Sequence, residues 1–498
     1  MKTWIATLAL SVSAVFCTAQ VSISAPPGGA VQLAHPSSPG QQYFMERSFD
    51  LDRWYRRGDI APGTGGSLLW ADTPNASRAF YRISSGPLVA HRLFGFDFEP
   101  YLDGQDPRLH TQISRAQMEQ RMRLQIPRAG WIRTFRMVDG FEAAGSVAHQ
   151  LGFKAALGAW IGPETTPAGI QANQQSISHL ITAGQAGDAE LLIVGSEALL
   201  RGDISATALI SYLNQVRAAV PGIPVTTADV YGRLIDNPGV VAACDILMAN
   251  IYPFWEAQSI GDAIANLHQN FYNTKINAQG KPVWISETGW PSAGQTVGAA
   301  VPSPANAAAF FQRFVSWARA NDVPFFYFEA NDETWKATTG EGAVGSHWGV
   351  SDKDGVLKPG MQPVFDAEYS PADWNAPING AGAPAITFTS VPALDSGGEY
   401  VSGTVNHVAP YDVFVVLYVK VNGLWYGAKP SYNKPLTSAG ASGAWTTHFV
   451  TGGNDINASD FAAFLFPKNY APPAVGNAPV LPATLAANAL ATATASRP

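Results

Sequence analysis

The chain has 498 residues, 46% of them hydrophobic, 11% aromatic and only 14% charged, a balance that supports large buried cores and excludes a disordered or solvating protein. At roughly 150 residues per domain it is long enough for two to four units. The formal net charge of −7 comes from scattered acids without a basic stripe, which excludes nucleic acid as a partner.

The opening "MKTWIATLALSVSAVFCTAQ" puts Lys2 before an apolar run and small residues before Gln20. This is the pattern of a secretory signal peptide over residues 1–19, cleaved after Ala19. Cys17 is a poor lipidation site because Phe16 stands where a small residue is needed. Cys244 is then the lone cysteine of the mature chain and is expected to pack as a small hydrophobe in "VAACDILMANIY". No later run reaches the roughly 18 apolar residues of a membrane span, so an exported, soluble, monomeric protein is expected, extracellular or periplasmic.

Residues 20–84 carry short apolar alternations ("AVQLA", "YFMERS", "LLWADT", "AFYRIS") between turn clusters, the pattern of a small all-β module. It loosely resembles sandwich modules appended to secreted bacterial enzymes. Across residues 88–374, short apolar strands alternate with helical segments: "LFGFDF", "WIRTF", "KAALGAW", "ELLIVGSE", "VTTADVY", "ILMANIY", "VWISETG" and "FFYFEA". Eight such units predict an α/β fold, a (β/α)₈ TIM barrel. Asp203 is the expected cap of the helix in "ISATALISYLNQVRAAV", and Ser303-Pro304 opens "ANAAAFFQRFVSWARA". After the linker "NAPINGAGAPA", residues 385–475 read as a C-terminal β-sandwich. Residues 476–498 are low in complexity and are expected to form a disordered tail.

In a barrel the C-terminal strand ends face the mouth, so a charge there is solvated or used. Strand four ends in "IVGSE" with Glu197 and strand seven in "WISE" with Glu287. Two carboxyls over one cleft can share the work of breaking a glycosidic bond, one protonating the leaving oxygen while the other attacks carbon or activates water. A strand-end Glu can equally be half of a rim ion pair.

"VWISETGWPSAG" resembles the signature of glycoside hydrolase family 17, the β-1,3-glucanase family of the retaining (β/α)₈ clan, and "LLIVGSEALLRGD" resembles its strand-four motif. The resemblance runs over roughly residues 93–360. It implies a bacterial secreted member with Glu287 as nucleophile and Glu197 as acid/base, acting on a β-1,3-glucan polysaccharide or oligosaccharide. Plant members usually have Asn before the acid; Ser196 stands there, which puts the usual Asn contact to the sugar in doubt. Gly345 stands where plant members carry a further Glu.

The resemblance also makes Tyr252 a hydrogen-bond partner of the nucleophile and places Glu333 and Lys336 near the cleft. Phe254, Trp255, Trp290 and Trp335 fall on loops after strands six to eight, with Trp290 and Trp335 the expected sugar platforms; each could instead pack beneath those loops. Arg133 and Asp97, at early strand ends, either bind substrate or brace the glutamates. No metal constellation or Gly-x-Ser-x-Gly elbow is present, and the mechanism requires neither metal nor cofactor.

The expectation is an endo-acting retaining hydrolase. A glucanosyltransferase using the same residues and a glycan-binding protein on an inactive barrel remain as alternatives. Trp425, Tyr426 or Tyr432 would carry glycan binding by the C-terminal module, which could equally be a spacer.

Overall fold

The computed structural model describes residues 7–8, 22–24, 30–51, 54–73, 78–87, 91–366 and 376–498. Apart from Thr7 and Leu8, the expected signal peptide, Cys17 included, lies outside the described residues.

Eight parallel strands form the central sheet: β1 (Leu93–Asp97), β2 (Ala129–Arg133), β3 (Lys154–Ala159), β4 (Leu191–Ser196), β5 (Val225–Val230), β6 (Leu247–Asn250), β7 (Val283–Glu287) and β8 (Phe326–Tyr327). Each lies beside its sequence neighbour, and β8 pairs with β1. The ring closes where Ile285 bridges Phe325 and the Ile285 N–H donates to Pro324 O at 3.1 Å. The sheet is therefore a TIM barrel.

The lower interior is plugged by apolar side chains including Leu191, Ile193, Met248 and Phe326, with Phe94 and Trp131 stacked 5.4 Å apart beside them. Gly95 permits this plug, since a Cβ there would meet the Phe326 ring at 2.6 Å. Above it, at the strand ends, lie the buried polar groups Asp97, Arg133, Ser196, Asn250 and Glu287. The helix after β4, Ala206–Ala219, is capped by Ser205, which accepts from the Ala208 N–H. Asp203 does not cap it; its carboxylate is held by Arg201 at 2.7 Å. Ser303 does cap the helix Pro304–Ala320.

Two β modules flank the barrel, antiparallel except where Thr7–Leu8 pairs parallel with Phe80–Tyr81. The N-terminal one pairs a four-stranded with a three-stranded sheet. Its buried Glu46 accepts from Arg82 at 2.7 Å and from Arg123 of the first barrel helix at 2.5 Å. The C-terminal one packs a three-stranded against a five-stranded sheet. Its Phe414 stacks on His268 of the barrel helix Ala263–Ile276, ring centroids 4.7 Å apart.

The expected disordered tail is ordered. Ala491–Ser496 adds an edge strand to the five-stranded sheet, paired antiparallel with Asp460–Pro467. Arg497 fixes its end by donating to Pro392 O at 2.8 Å, to Ala393 O at 3.1 Å and to Ile456 O. The alternating Ala and Thr of "ATATAS" suit a strand whose two faces differ in exposure. Composition hid this, because small residues need a neighbouring strand to form one.

Candidate active site

A cleft of about 860 Å³ crosses the barrel mouth, lined by loops after β1, β2, β3, β4 and β8. Both Glu197 and Glu287 line it. Local backbone irregularities aim them. The β4–β5 register shifts between Ile193 and Ser196, and the chain passes through left-handed conformations at Gly195 (φ 78°) and Glu197 (φ 55°). Such a bulge re-aims side chains at a strand end, and a non-glycine residue held at positive φ is strain that the surroundings must maintain. A second shift, between Ala249 and Asn250, sets Asn250 opposite Glu287.

The two carboxyls have different surroundings. Glu287 Oε1 accepts from Arg133 Nη1 at 2.9 Å and from the Ser196 hydroxyl at 3.0 Å, and Oε2 accepts from the Tyr252 hydroxyl at 3.0 Å. Three donors hold the carboxylate in one orientation. Arg133, wholly buried, also donates to Asp97 Oδ1 at 2.7 Å, to Ser286 O at 3.0 Å and to Ser196 Oγ at 3.0 Å. Glu197 Oε1 has one side-chain donor, Asn250 Nδ2 at 2.8 Å. Burial first, and the Glu287 charge second, push Glu197 up to about 7.

Of the residues singled out from sequence, Asp97, Arg133, Tyr252, Glu197 and Glu287 meet in this network. Asp97 and Arg133 brace Glu287. Glu333, Trp335 and Lys336 gather after β8, with Trp335 and Lys336 lining the cleft.

One expected platform, Trp290, and one other candidate substrate-binding aromatic, Phe254, are buried. Trp290 is 1% exposed, its indole N–H donating to Val301 O at 3.1 Å, and Phe254 is fully buried against it. Neither has a face for a sugar, because the loops after β6 and β7 fold over their own aromatics. Trp255 stays partly exposed but lies outside the cleft lining, tilted against Trp348 at 5.7 Å.

Sequence reading missed Asn250, Glu99, Glu329 and Trp160. For Asn250 and Glu99 the signal was strand alternation: Asn250 shares a face with Tyr252, and Glu99 with Asp97. Trp160 lines the cleft and is held against the Arg201 guanidinium at 4.1 Å. Ser196, noted only as replacing an Asn, donates directly to Glu287. Among the described residues no group of His, Cys, Asp or Glu is placed to hold a metal ion, and no helix is long and apolar enough to cross a membrane.

A TIM barrel with two carboxyl groups at its mouth, one held by three donors and one whose proton affinity is raised by burial, has the equipment of a glycoside hydrolase. Residues 95–349 match the BtgE/BtgC glycoside hydrolase domain, and the chain belongs to that family. It is 30% identical over 257 residues to glucan 1,3-beta-glucosidase BGL2 of Candida albicans, covering 47% of this chain and 82% of that one. It is 32% identical to the glucan 1,3-beta-glucosidase of Saccharomyces cerevisiae over 44% of this chain and 76% of that one. Among solved structures, a glycoside hydrolase family 17 β-1,3-glucanosyltransferase from Rhizomucor miehei is 30% identical, covering 54% of this chain and 96% of that one, with a TM-score of 0.48.

Proposed function

We propose that this protein is an exported bacterial retaining hydrolase that cleaves β-1,3-glucan of the laminarin type internally. The observation that carries the reading is the division between the two glutamates: Glu287 under three donors and Glu197 with its proton affinity raised to about 7. The β-1,3 linkage follows the relatives named glucan 1,3-beta-glucosidase. A cleft built from five loops supports binding of several sugars along a chain. Export rests on residues 1–19.

Protonated Glu197 gives its proton to the glycosidic oxygen as the bond to the anomeric carbon breaks, and Glu287 attacks that carbon to form a glycosyl ester. Esterification removes the Glu287 charge that raised Glu197, so Glu197 becomes the stronger acid and stays ionised. It then takes a proton from water, whose oxygen displaces Glu287. Two inversions leave the anomeric configuration retained.

The test is a laminarin digest followed by proton NMR at early times. β-Anomers at new reducing ends of mixed-length oligosaccharides are expected, with no turnover by Glu287→Gln. Initial α-anomers would refute retention. Products longer than an oligosaccharide substrate would move the assignment to glucanosyl transfer.

A further inference from the structure

One buried carboxyl near the barrel mouth has no part in the two-glutamate reaction. Asp229, the second-last residue of β5, is fully buried and does not line the cleft. Its Oδ2 accepts from the Leu199 N–H at 2.9 Å and its Oδ1 from the Val230 N–H at 2.8 Å. A buried carboxylate is costly where a neutral acceptor would serve, so the charge itself calls for a reason.

Leu199 lies two residues after Glu197, in the turn that leads out of β4. An opposite charge holds the other side of that turn. Arg201 Nη1 donates to Ser196 O at 2.6 Å, Nη2 to Ile161 O at 3.1 Å and Nε to Asp203 Oδ2 at 2.7 Å. Main-chain bonds close the turn: the Glu197 N–H donates to Ala228 O at 2.8 Å and the Arg201 N–H to Glu197 O at 3.0 Å. Ser196 O and the Leu199 N–H therefore bracket Glu197, whose left-handed backbone (φ 55°) has to be maintained by its surroundings.

Resting on the hydrolase reading above, we infer that Asp229 and Arg201 are positioning residues, a carboxylate and a guanidinium that clamp the turn 196–201 from either side and so aim Glu197 at the leaving oxygen. Arg201 also reaches the cleft, where it lies over the Trp160 ring. Asp229 acts only through the turn.

The two charges act on Glu197 in opposite senses. Burial first, and the Glu287 charge second, raise its proton affinity; Asp229 adds to that and Arg201 opposes it. Asn250 and Tyr252, from the end of β6, complete the groups that face it. Asp229 is itself pushed up by burial to about 6, against the N–H groups of Leu199, Val230 and Leu200 and the Arg201 charge. It is therefore ionised where Glu197 loses its proton, near 7.

The test is the pH dependence of kcat and kcat/KM on laminarin in the parent, Asp229→Asn, Arg201→Gln and Arg201→Lys. Asp229→Asn keeps the shape and removes the charge. Its alkaline limb is expected to move down by about 0.5 unit, with kcat about tenfold lower through lost aim and KM unchanged, since position 229 lies off the cleft. In Arg201→Gln the limb is expected to move up by a similar amount, and in Arg201→Lys, which keeps the charge, to stay in place. Packing alone would lower kcat without moving either limb. An Asp229→Asn limb that stays or rises, or an Arg201→Gln limb that stays or falls, overturns the inference, and either variant decides it if the other does not fold. A parent that leaves laminarin intact overturns instead the hydrolase reading, and the inference with it.

Discussion

Asn250 Nδ2 donates to Glu197 Oε1 at 2.8 Å while Asn250 Oδ1 accepts from the Ser286 hydroxyl at 2.5 Å. One amide thereby ties the residue before Glu287 to the opposite glutamate and fixes which Asn250 atom faces Glu197. A donor to a carboxylate favours its ionised form. Asn250→Ala should therefore raise the Glu197 pKa further, shifting the alkaline limb of kcat/KM upward by about 0.5–1 unit, and should lower kcat about tenfold or more through lost orientation. An unshifted limb in the variant's pH–rate profile would separate Asn250 from Glu197.

The alkaline limb of the parent reports Glu197. Its acid form is the proton donor, and burial with the neighbouring Glu287 charge puts the midpoint near 7. Activity should fall as pH rises through that value, since the donor form is the one lost. Glu197→Gln should abolish turnover of laminarin yet keep turnover of an aryl glucoside whose leaving group needs no proton until the glycosyl ester accumulates. Burst kinetics with such a substrate check this.

Arg133 is an unusually costly residue to remove. It is wholly buried and bridges Asp97 at 2.7 Å and Glu287 at 2.9 Å, so Arg133→Met strands two carboxyls. A destabilisation of about 3–5 kcal/mol is expected near neutral pH, measured by urea unfolding. Burial already pushes Asp97 up to about 8, and an acid raised on folding costs stability as pH rises from its unfolded value of about 4. The variant should accordingly recover part of its loss at about pH 5, where Asp97 holds its proton.

Trp290 distinguishes packing from sugar contact. Buried against Phe254 and Phe310, with its indole N–H on Val301 O, it should behave as core. Trp290→Ala is expected to lose about 3–5 kcal/mol of stability, and the milder Trp290→Phe to lower the melting temperature with KM for laminarioligosaccharides unchanged. A raised KM in a stably folded Trp290→Phe protein would restore it as a platform.

The C-terminal strand predicts a stability effect remote from catalysis. Deleting residues 490–498 removes the partner of Asp460–Pro467 and the Arg497 anchors, exposing an unpaired sheet edge. The truncated protein should melt several degrees lower and aggregate on heating, with kcat unchanged at low temperature. All cleft-lining residues lie between Glu99 and Glu341.

Much of this protein is legible in its sequence because barrel strands announce themselves by what surrounds them. "LLIVGSE" and "VWISE" are apolar where the strand is buried and turn polar where the core ends, which locates Glu197 and Glu287 at the mouth. The family resemblance put Tyr252 on Glu287, and side-chain type gave the Ser303 cap. The helix after β4 shows the limit: Asp203 and Ser205 are both good caps, and the choice fell to Ser205 because Arg201 engages Asp203.

Which aromatic is covered and which faces a ligand is not a property of residue type. Trp290 and Trp335 read alike in sequence, but loop closure buries the first and leaves the second on the cleft. The tail Ala491–Ser496 reads as low complexity and becomes a strand only because Asp460–Pro467 offers it an edge. Periodicity and strand-end charges, which are local, determined the barrel and its pair of glutamates. The separate tuning of that pair came from Arg133 on β2, Ser196 on β4, and Asn250 and Tyr252 at the end of β6, because burial and charge act through space and only the closed ring brings those residues together.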